Sequence, residues 1–589
     1  MRLLPLWLLL CACPLLHAAP SRPNILIILA DDMGWGDLSS NGNTNLSTPK
    51  IDSIGQAGAT LDRFFVCPVC SPTRAEFLTG RYHPRGGVHD VSTGGERLNL
   101  DDQTIAQVFK GEGYATGAFG KWHNGTQYPY HPNARGFDEY YGFTSGHWGG
   151  YFDPPLDHNG SLTKGKGYII DDLTDHAMQF ITDHKDGPFF CYVPFNTPHT
   201  PLQVPDEYWN RFATKDITMR ALKQKMPSQK EDVDFTRAVL SMMENMDWNV
   251  GRLLKHLDDL HLSDNTIVIF FSDNGPNSWR WNGGMKGKKG NTDEGGVRSP
   301  FLMRWPGKIK PGLHVSNIAG AIDLLPTLAD AASIALKPKK PLDGVSLKPL
   351  LTGDSKVQWM NRMIFSTWGG SVSVRTQQYR LDNQGALFDM VADPGQSKDV
   401  AKDHPAEAER LSKAVAAWKD EVKLAEQRND KRPFTVGYPE FSRTMLPARD
   451  GVPHGHVERS SKAPNCSYFK NWSNTEDSIT WDIEVAHSGK YEAIVHYTCP
   501  QADIGSDVAL EFNGSSVHNI VKEANDPPLI GAAIDRVPRN TESFVKDFKP
   551  MSLGTFELKA GRGPLMLHAL KVPGKGVMDV RMVELVLVK

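Results

Sequence analysis

Four short runs of unbroken apolar residues punctuate the first half of the chain: residues 24–30 (Asn-Ile-Leu-Ile-Ile-Leu-Ala), 115–119, 189–193 and 266–271 (Thr-Ile-Val-Ile-Phe-Phe). Runs of this length without polar alternation predict strands buried on both faces. Between and after them, apolar residues recur at helical spacing over 104–111, 171–184, 235–260 and 323–332. Pro326 falls in the first turn of the last of these or kinks it. Strands alternating with helices predict an α/β domain on a large, mostly parallel sheet flanked by helices. Each strand is followed by a polar cluster: Asp31-Asp32, then Lys121 with His123, then His199, then Asp273-Asn274. Ligands collect beyond the carboxyl ends of parallel strands, so these clusters are expected to share one rim.

The pattern then changes. Residues 21–355 read as the α/β core, and 356–425 as a small α+β subdomain closed by a helix over 406–424. Residues 426–462 are charged, rich in Pro and Gly and aperiodic, and read as a linker. From 463 to 589, short alternating runs such as 491–497, 508–512 and 580–588 are separated by Gly, Asn and Pro, the pattern of a β-sandwich. At the other end, residues 1–20 carry one charge, Arg2, a long apolar stretch and small residues at Ala18-Ala19, as a signal peptide does. Export, to a periplasm or outside the cell, follows. Anchoring as a lipoprotein through Cys13 is the alternative. No other segment is apolar enough to cross a bilayer.

The net charge of −3 leaves no basic footprint for nucleic acid, so any anion site is local. Of seven cysteines, Cys11 and Cys13 fall in the signal segment. The remaining five make an odd set for an exported protein. Cys466 and Cys499 share the late segment and can pair, Cys67 and Cys191 read as buried thiols, and Cys70 is left for chemistry.

Cys70 begins the run Cys-Ser-Pro-Thr-Arg-Ala-Glu-Phe-Leu-Thr-Gly. Ser71 can cap a helix, Pro72 suits its first turn and Gly80 can end it. A sulfur is thereby presented at the positive end of a helix, with Arg74 one turn on. Asp31, Asp32, Asp273 and Asn274 are hard oxygen donors suited to Ca²⁺ or Mg²⁺ and not to zinc. Either pair alone is an ordinary turn; two pairs with Cys70 between them point to a metal. Lys121, His123, His199 and Lys289, the last in a glycine-rich loop, can face an anion or a leaving group. Each taken singly is as easily a solvated loop residue. Trp148, Tyr151, Phe152, Trp279 and Trp281 flank these clusters and can stack on sugars or simply pack.

The run from Cys70 to Arg74, continued by Leu78-Thr79-Gly80-Arg81, resembles the signature of the type I sulfatases of the alkaline-phosphatase superfamily. The resemblance extends in order through Asp31–Asp37, Gly120–His123, Arg135–Asp138, Ser272–Gly275, Glu294–Arg298 and Leu387–Met390, across about residues 22–425. It implies that a formylglycine-generating enzyme oxidises Cys70 to Cα-formylglycine. The hydrated aldehyde then attacks sulfur, and its second hydroxyl expels sulfate. It also implies a Ca²⁺ ion held by Asp31, Asp32, Asp273, Asn274 and residue 70. Arg74 would support the nucleophile, Lys121 and Lys289 the sulfate, His123 residue 70, and His199 the leaving oxygen. Lys286 and Lys288 compete with Lys289 for its assignment. The resulting expectation is a sulfuric ester hydrolase acting on a sulfated carbohydrate. The alternatives are a phosphoester or phosphonate hydrolase of the same superfamily, or a non-catalytic glycan-binding protein.

Overall fold

The computed structural model describes residues 22–219, 232–353, 359, 361–424 and 431–588. The signal-like segment 1–20 and residues 425–430, the last residue of the expected α+β subdomain and the start of the expected linker, lie outside the described residues.

The four apolar runs form adjacent parallel strands: β1 (Asn24–Ala30), β2 (Ala115–Lys121), β3 (Phe189–Pro194) and β4 (Thr266–Ser272). Their spatial order is β4-β1-β3-β2 at the centre of a ten-stranded sheet. Glu139–Phe143 continues the parallel set beside β2; antiparallel pairings finish that edge, while on the other side two antiparallel pairings are followed by an outermost parallel one, Leu313–Val315 with Ala59–Leu61. All seven residues of β1 are buried. Ile25, Ile27 and Leu29 pack into one core with Phe77 and Leu328, and Leu26 and Ile28 into the other with Ile170 and Leu253. A strand walled by helices on both faces has no polar side, which is why its sequence is continuous rather than alternating.

The helices fall where their spacing predicts. Ile105–Gly111 is capped by Thr104, whose side chain accepts from Gln107 N in a capping box. Ile169–Asp183 and Val233–Asp259 cover one sheet face, and Asp232 caps the second by accepting from Phe235 N. Leu324–Ala331 covers the other face, with Pro326 in its first turn. A four-stranded antiparallel sheet, from Ile364–Trp368 to Leu387–Asp389, packs on the helix Pro405–Glu421 and makes the small α+β unit.

The C-terminal part is a sandwich of two six-stranded sheets around one core. In Ser478–Val485 the buried residues Ile479, Trp481, Ile483 and Val485 alternate with outward-facing ones. Two expectations are corrected here. Much of the stretch read as a linker, 426–462, belongs to the sandwich. Phe434–Val436 and Val452–His454 pair in one sheet, and Arg443–Pro447 and Glu458–Arg459 in the other. These are two- to five-residue strands, and Pro447 and Pro453 fit the margins of a sheet, so no periodicity announces them. The Cys466–Cys499 pairing is not formed; all five described cysteines are free thiols. Cys466 donates its S–H to His147 O at 3.0 Å across the domain boundary. Cys499 exchanges both backbone bonds with Asn525 inside the sandwich.

The sandwich is docked on the α/β core through buried charge. Arg449, 1% exposed, donates to Ser145 Oγ at 3.0 Å and to Thr126 Oγ1, and lies 3.3 Å from both Glu96 and Asp450. Removing it strands two carboxylates away from water. Arg449→Ala is expected to cost about 3–5 kcal/mol, read as a fall in the urea midpoint of the full chain.

Candidate active site

The site is assembled by strand register. Ala30 pairs with Ser272, so the next residues, Asp31 and Asp273, stand side by side. Asp273 N donates to Ala30 O at 3.1 Å, and Asp31 N to Thr197 O at 2.9 Å. Asp32 follows in the left-handed region, φ 68°. That conformation costs a non-glycine residue roughly 1–2 kcal/mol, and it is held by Arg280, which donates to Asp32 O at 3.0 Å and pairs with Asp37 at 2.6 Å.

Cys70 opens helix α1 (Cys70–Thr79), buried at 3% exposure. Val69, not Ser71, is the N-cap residue, and no side chain caps the first turn. The entry to the helix is fixed instead by Thr73, whose hydroxyl accepts from Cys67 N at 2.8 Å and donates to Asp273 O at 2.6 Å. Gly80 ends the helix with φ 68°, as its sequence predicts. Ligand atoms of Asp31, Cys70 and Asp273 lie within 4.8 Å of one another, as do those of Asp31, Asp32 and His199.

Arg74 is fully buried and donates from Nε and Nη2 to Asp273 Oδ2 at 3.1 and 2.8 Å, and from Nη1 to Lys121 O at 2.6 Å. Burial works against its charge, but Asp273, together with Tyr192, Asp31 and Cys70, offsets this and holds the guanidinium above its usual range. Lys121 Nζ meets Asp31 Oδ2 at 2.6 Å, and Lys289 Nζ meets Asp32 Oδ1 at 2.6 Å. Burial pushes Asp32 up, yet Lys289 and then His199 keep its carboxylate below the ordinary range. Burial, then the neighbouring Asp31, push Asp273 up to about 6. Lys286 instead approaches Asp293 at 3.7 Å, and Lys288 lies over the Trp279 ring, so Lys289 is the lysine of that loop paired with Asp32.

Each candidate metal ligand from Asp31, Asp32 and Asn274 uses one side-chain group within the protein and keeps another free. Asp31 Oδ1, Asp32 Oδ2 and Asn274 Oδ1 are buried without a protein partner, while Asn274 Nδ2 donates to Asp32 Oδ1 at 2.8 Å. Buried acceptors are almost always satisfied. Orphaned hard oxygens beside Asp273 therefore fit a divalent cation.

His123 is buried at φ 66°, with Nε2 2.8 Å from Val91 O and Nδ1 unpartnered. Burial, then Lys121, push it well below the usual histidine range. His199 Nδ1 lies 2.7 Å from Thr200 O and its Nε2 3.6 Å from Asp32 Oδ2. It lines a cavity of about 210 Å³ together with Asp32, Lys289 and the sandwich residues 537–542. Three participants were not singled out in the sequence. His147 stacks on His199 at 5.8 Å, Arg280 braces the Asp32 turn, and Glu542 reaches His199 from the sandwich. Arg280 lies between Trp279 and Trp281, and only the sequence position of Asp37 could have suggested its partner. None of the five candidate sugar-stacking aromatics lines this cavity. Tyr151 is fully buried with its hydroxyl donating to His199 O at 3.0 Å, Trp148 stacks on Phe143, and Trp281 stacks on Trp35.

This is a hydrolase site on an alkaline-phosphatase-like fold. A family model described as Sulfatase matches residues 23–334, and one described as N-sulphoglucosamine sulphohydrolase, C-terminal, matches 288–421. The chain belongs to the sulfatase family and is a sulfatase enzyme. Arylsulfatase A of Bos taurus is 34% identical over 435 residues, 66% of this chain and 81% of that one. N-acetylgalactosamine-6-sulfatase of Mus musculus is 30% identical, over 64% of this chain and 75% of that one. The solved structure of Ps i-CgsB with k-i-k-neocarrahexaose aligns at 31% identity and a TM-score of 0.61, covering 68% of this chain and 93% of that one. Both family models stop by residue 421, so the sandwich lies beyond them.

Under the same helix, Glu76 is buried near Cys67 and His83, and burial pushes its carboxyl up to about 8. The ordinary value is 4.5, so the unfolded chain ionises first as pH rises. The contribution of Glu76 to stability is greatest below pH 4.5 and is lost towards pH 8. Glu76→Gln is expected to flatten that decline, by up to about 1.4 kcal/mol per pH unit. Urea midpoints of both proteins between pH 4.5 and 8 measure it.

Proposed function

We propose that this sulfatase is an exported sulfuric ester hydrolase that removes sulfate from a sulfated carbohydrate, using Cα-formylglycine at position 70 and Ca²⁺. The observation that carries the reading is the set of orphaned oxygens on Asp31, Asp32 and Asn274, buried with Asp273 around residue 70. Asp31, Asp32, Asp273 and Asn274 would hold the ion. When bound, Ca²⁺ supplies a Lewis acid that polarises the sulfate group. Formylglycine, hydrated, supplies a nucleophilic oxygen and a second hydroxyl for expelling sulfate.

The chain's own groups do the rest. Arg74, clamped by Asp273 and Lys121 O, fixes the first turn of α1 and with it residue 70. Lys121 and Lys289 bring positive charge to the sulfate oxygens. The bond at Nδ1 from His199 to Thr200 O leaves Nε2 to exchange a proton with the leaving alcohol. His123, its Nε2 tied to Val91 O, keeps Nδ1 for residue 70. The carbohydrate assignment is supported by the names of relatives, N-acetylgalactosamine-6-sulfatase and the neocarrahexaose-bound Ps i-CgsB.

Protein matured with a formylglycine-generating enzyme should show the formylglycine mass in the peptide holding residue 70 and release inorganic sulfate. Cys70→Ala should lower turnover by about a thousandfold or more. Full turnover by that variant, or faster release from paired phosphate esters, overturns the assignment. A second readout needs no activity. Ca²⁺ at about a hundred times its Kd should stabilise the fold by about 2.7 kcal/mol, seen as a raised melting temperature that Asp31→Asn or Asn274→Ala abolishes.

A further inference from the structure

Residues 537–542 belong to the connection between two sandwich strands, Ser515–Ile520 and Lys549–Leu558. Glu542 is 342 positions from Thr200 in sequence, yet the Thr200 hydroxyl donates to its carboxylate, and Glu542 Oε1 stands 3.9 Å from His199 Nδ1. The connection is pinned along the segment that follows His199. Arg536 N donates to Leu202 O at 2.8 Å and Arg536 Nη2 to Val204 O at 2.6 Å. Gln203 Nε2 donates to Asp535 Oδ1 at 2.6 Å. The wall is thus fastened to the same loop that carries the candidate proton-transfer residue.

The cavity between wall and catalytic loop has a definite chemistry. Its two cationic lining residues are both engaged: Lys289 with Asp32 at 2.6 Å, and Arg539 with Asp535 at 2.7 Å and Ser543 O at 2.6 Å. The wall then offers the amide of Asn540, the hydroxyl of Thr541 and the carbon faces of Val537 and Pro538, with Pro201 opposite. Asn540 and Thr541 are solvent-exposed, so they give up water rather than internal bonds to meet a ligand. Amides and hydroxyls match a ring of hydroxyls, and apolar faces match its C–H face. A second sulfate or a carboxylate at this place would face Glu542 with no unengaged cation beside it. At about 210 Å³ the space lies below the roughly 300–1,000 Å³ of pockets for larger ligands, which suits a single ring.

We propose that the β-sandwich supplies the alcohol-side subsite of this enzyme, where Asn540 and Thr541 read the hydroxyls of one neutral sugar ring bearing a single sulfate. This rests on the carbohydrate reading above. Both residues are specificity determinants in the intact chain. The sandwich is therefore a part of the catalytic pocket and not a separable binding module.

The test uses the full chain with formylglycine at residue 70. Its substrates are the 2-, 3-, 4- and 6-monosulfates of galactose, a disulfated galactose and 4-nitrophenyl sulfate. For Asn540→Ala/Thr541→Ala, the ratio of kcat/KM for the preferred galactose monosulfate to that for 4-nitrophenyl sulfate should fall about tenfold, chiefly through KM. Thr541→Ser, which keeps the hydroxyl, should retain the ratio. Asn540→Asp, isosteric at an exposed position, gives the same fall if the double variant does not fold. An unchanged ratio, a loss carried by kcat alone, or a preference for the disulfated sugar overturns the proposal. Turnover of 4-nitrophenyl sulfate without turnover of any sulfated sugar overturns the carbohydrate reading and this subsite with it. No sulfate release from any ester overturns the sulfatase mechanism itself.

Discussion

Asp273 and Arg74 form the contact on which the rest of the site depends. Both side chains are wholly buried, and an isolated charge there would be driven neutral by desolvation. Register forces the problem, because pairing Ala30 with Ser272 sets Asp31 and Asp273 together beyond the strand ends. Arg74 answers it with two bonds to one carboxylate oxygen and a third to the Lys121 carbonyl, tying α1, β2 and β4 into one unit. Lys121 and Lys289 then meet Asp31 and Asp32. The left-handed backbone at Asp32 is held by Arg280 on its carbonyl, and His123, also left-handed, is tied through Nε2 to Val91 O.

The α/β half was legible in the sequence because its central strands are buried on both faces, which makes them short unbroken apolar runs. The candidate site was legible because each cluster follows a strand, and parallel strands bring their ends to one rim. What escaped has physical reasons. Thr73 in place of Ser71 sets the entry to α1 through contacts with Cys67 and with Asp273, two hundred residues away, and no local pattern reports a tertiary bond. The strands between 434 and 459 are too short to show a period, and their Pro and Gly residues imitate a linker. Cys466 and Cys499 look like a pair by proximity in sequence, but one thiol faces the α/β core and the other residue is held by Asn525. Choosing Lys289 over Lys286 and Lys288 required seeing which ammonium meets Asp32.

The sandwich lies beyond the matched family regions, yet it is joined to them by the kind of contact found inside a domain. Arg449 with Glu96 and Asp450, and Cys466 with His147 O, bury polar groups across the boundary where only the correct docking satisfies them. A loosely tethered module would leave such groups hydrated. The same docking brings the 537–542 connection onto the loop after His199, so the interface and the pocket share one cause.

Charge then orients the ligand. The inner end of the cavity is lined by Asp32 and Lys289, and in the cluster buried with them the cations Arg74, Lys121 and Lys289 balance the carboxylates Asp31, Asp32 and Asp273. A divalent cation on the orphaned oxygens would leave that end positive, with the uncapped first turn of α1 adding to it. At the outer end Arg539 is neutralised by Asp535, and Glu542 contributes negative charge. An ester entering this gradient is favoured with its sulfate inward and a neutral alcohol outward. The reverse pose sets an anion against Glu542 and leaves the inner charge unanswered. Because the outer wall comes from the sandwich and the inner end from strand termini, orientation of the ester depends on both domains being in place together.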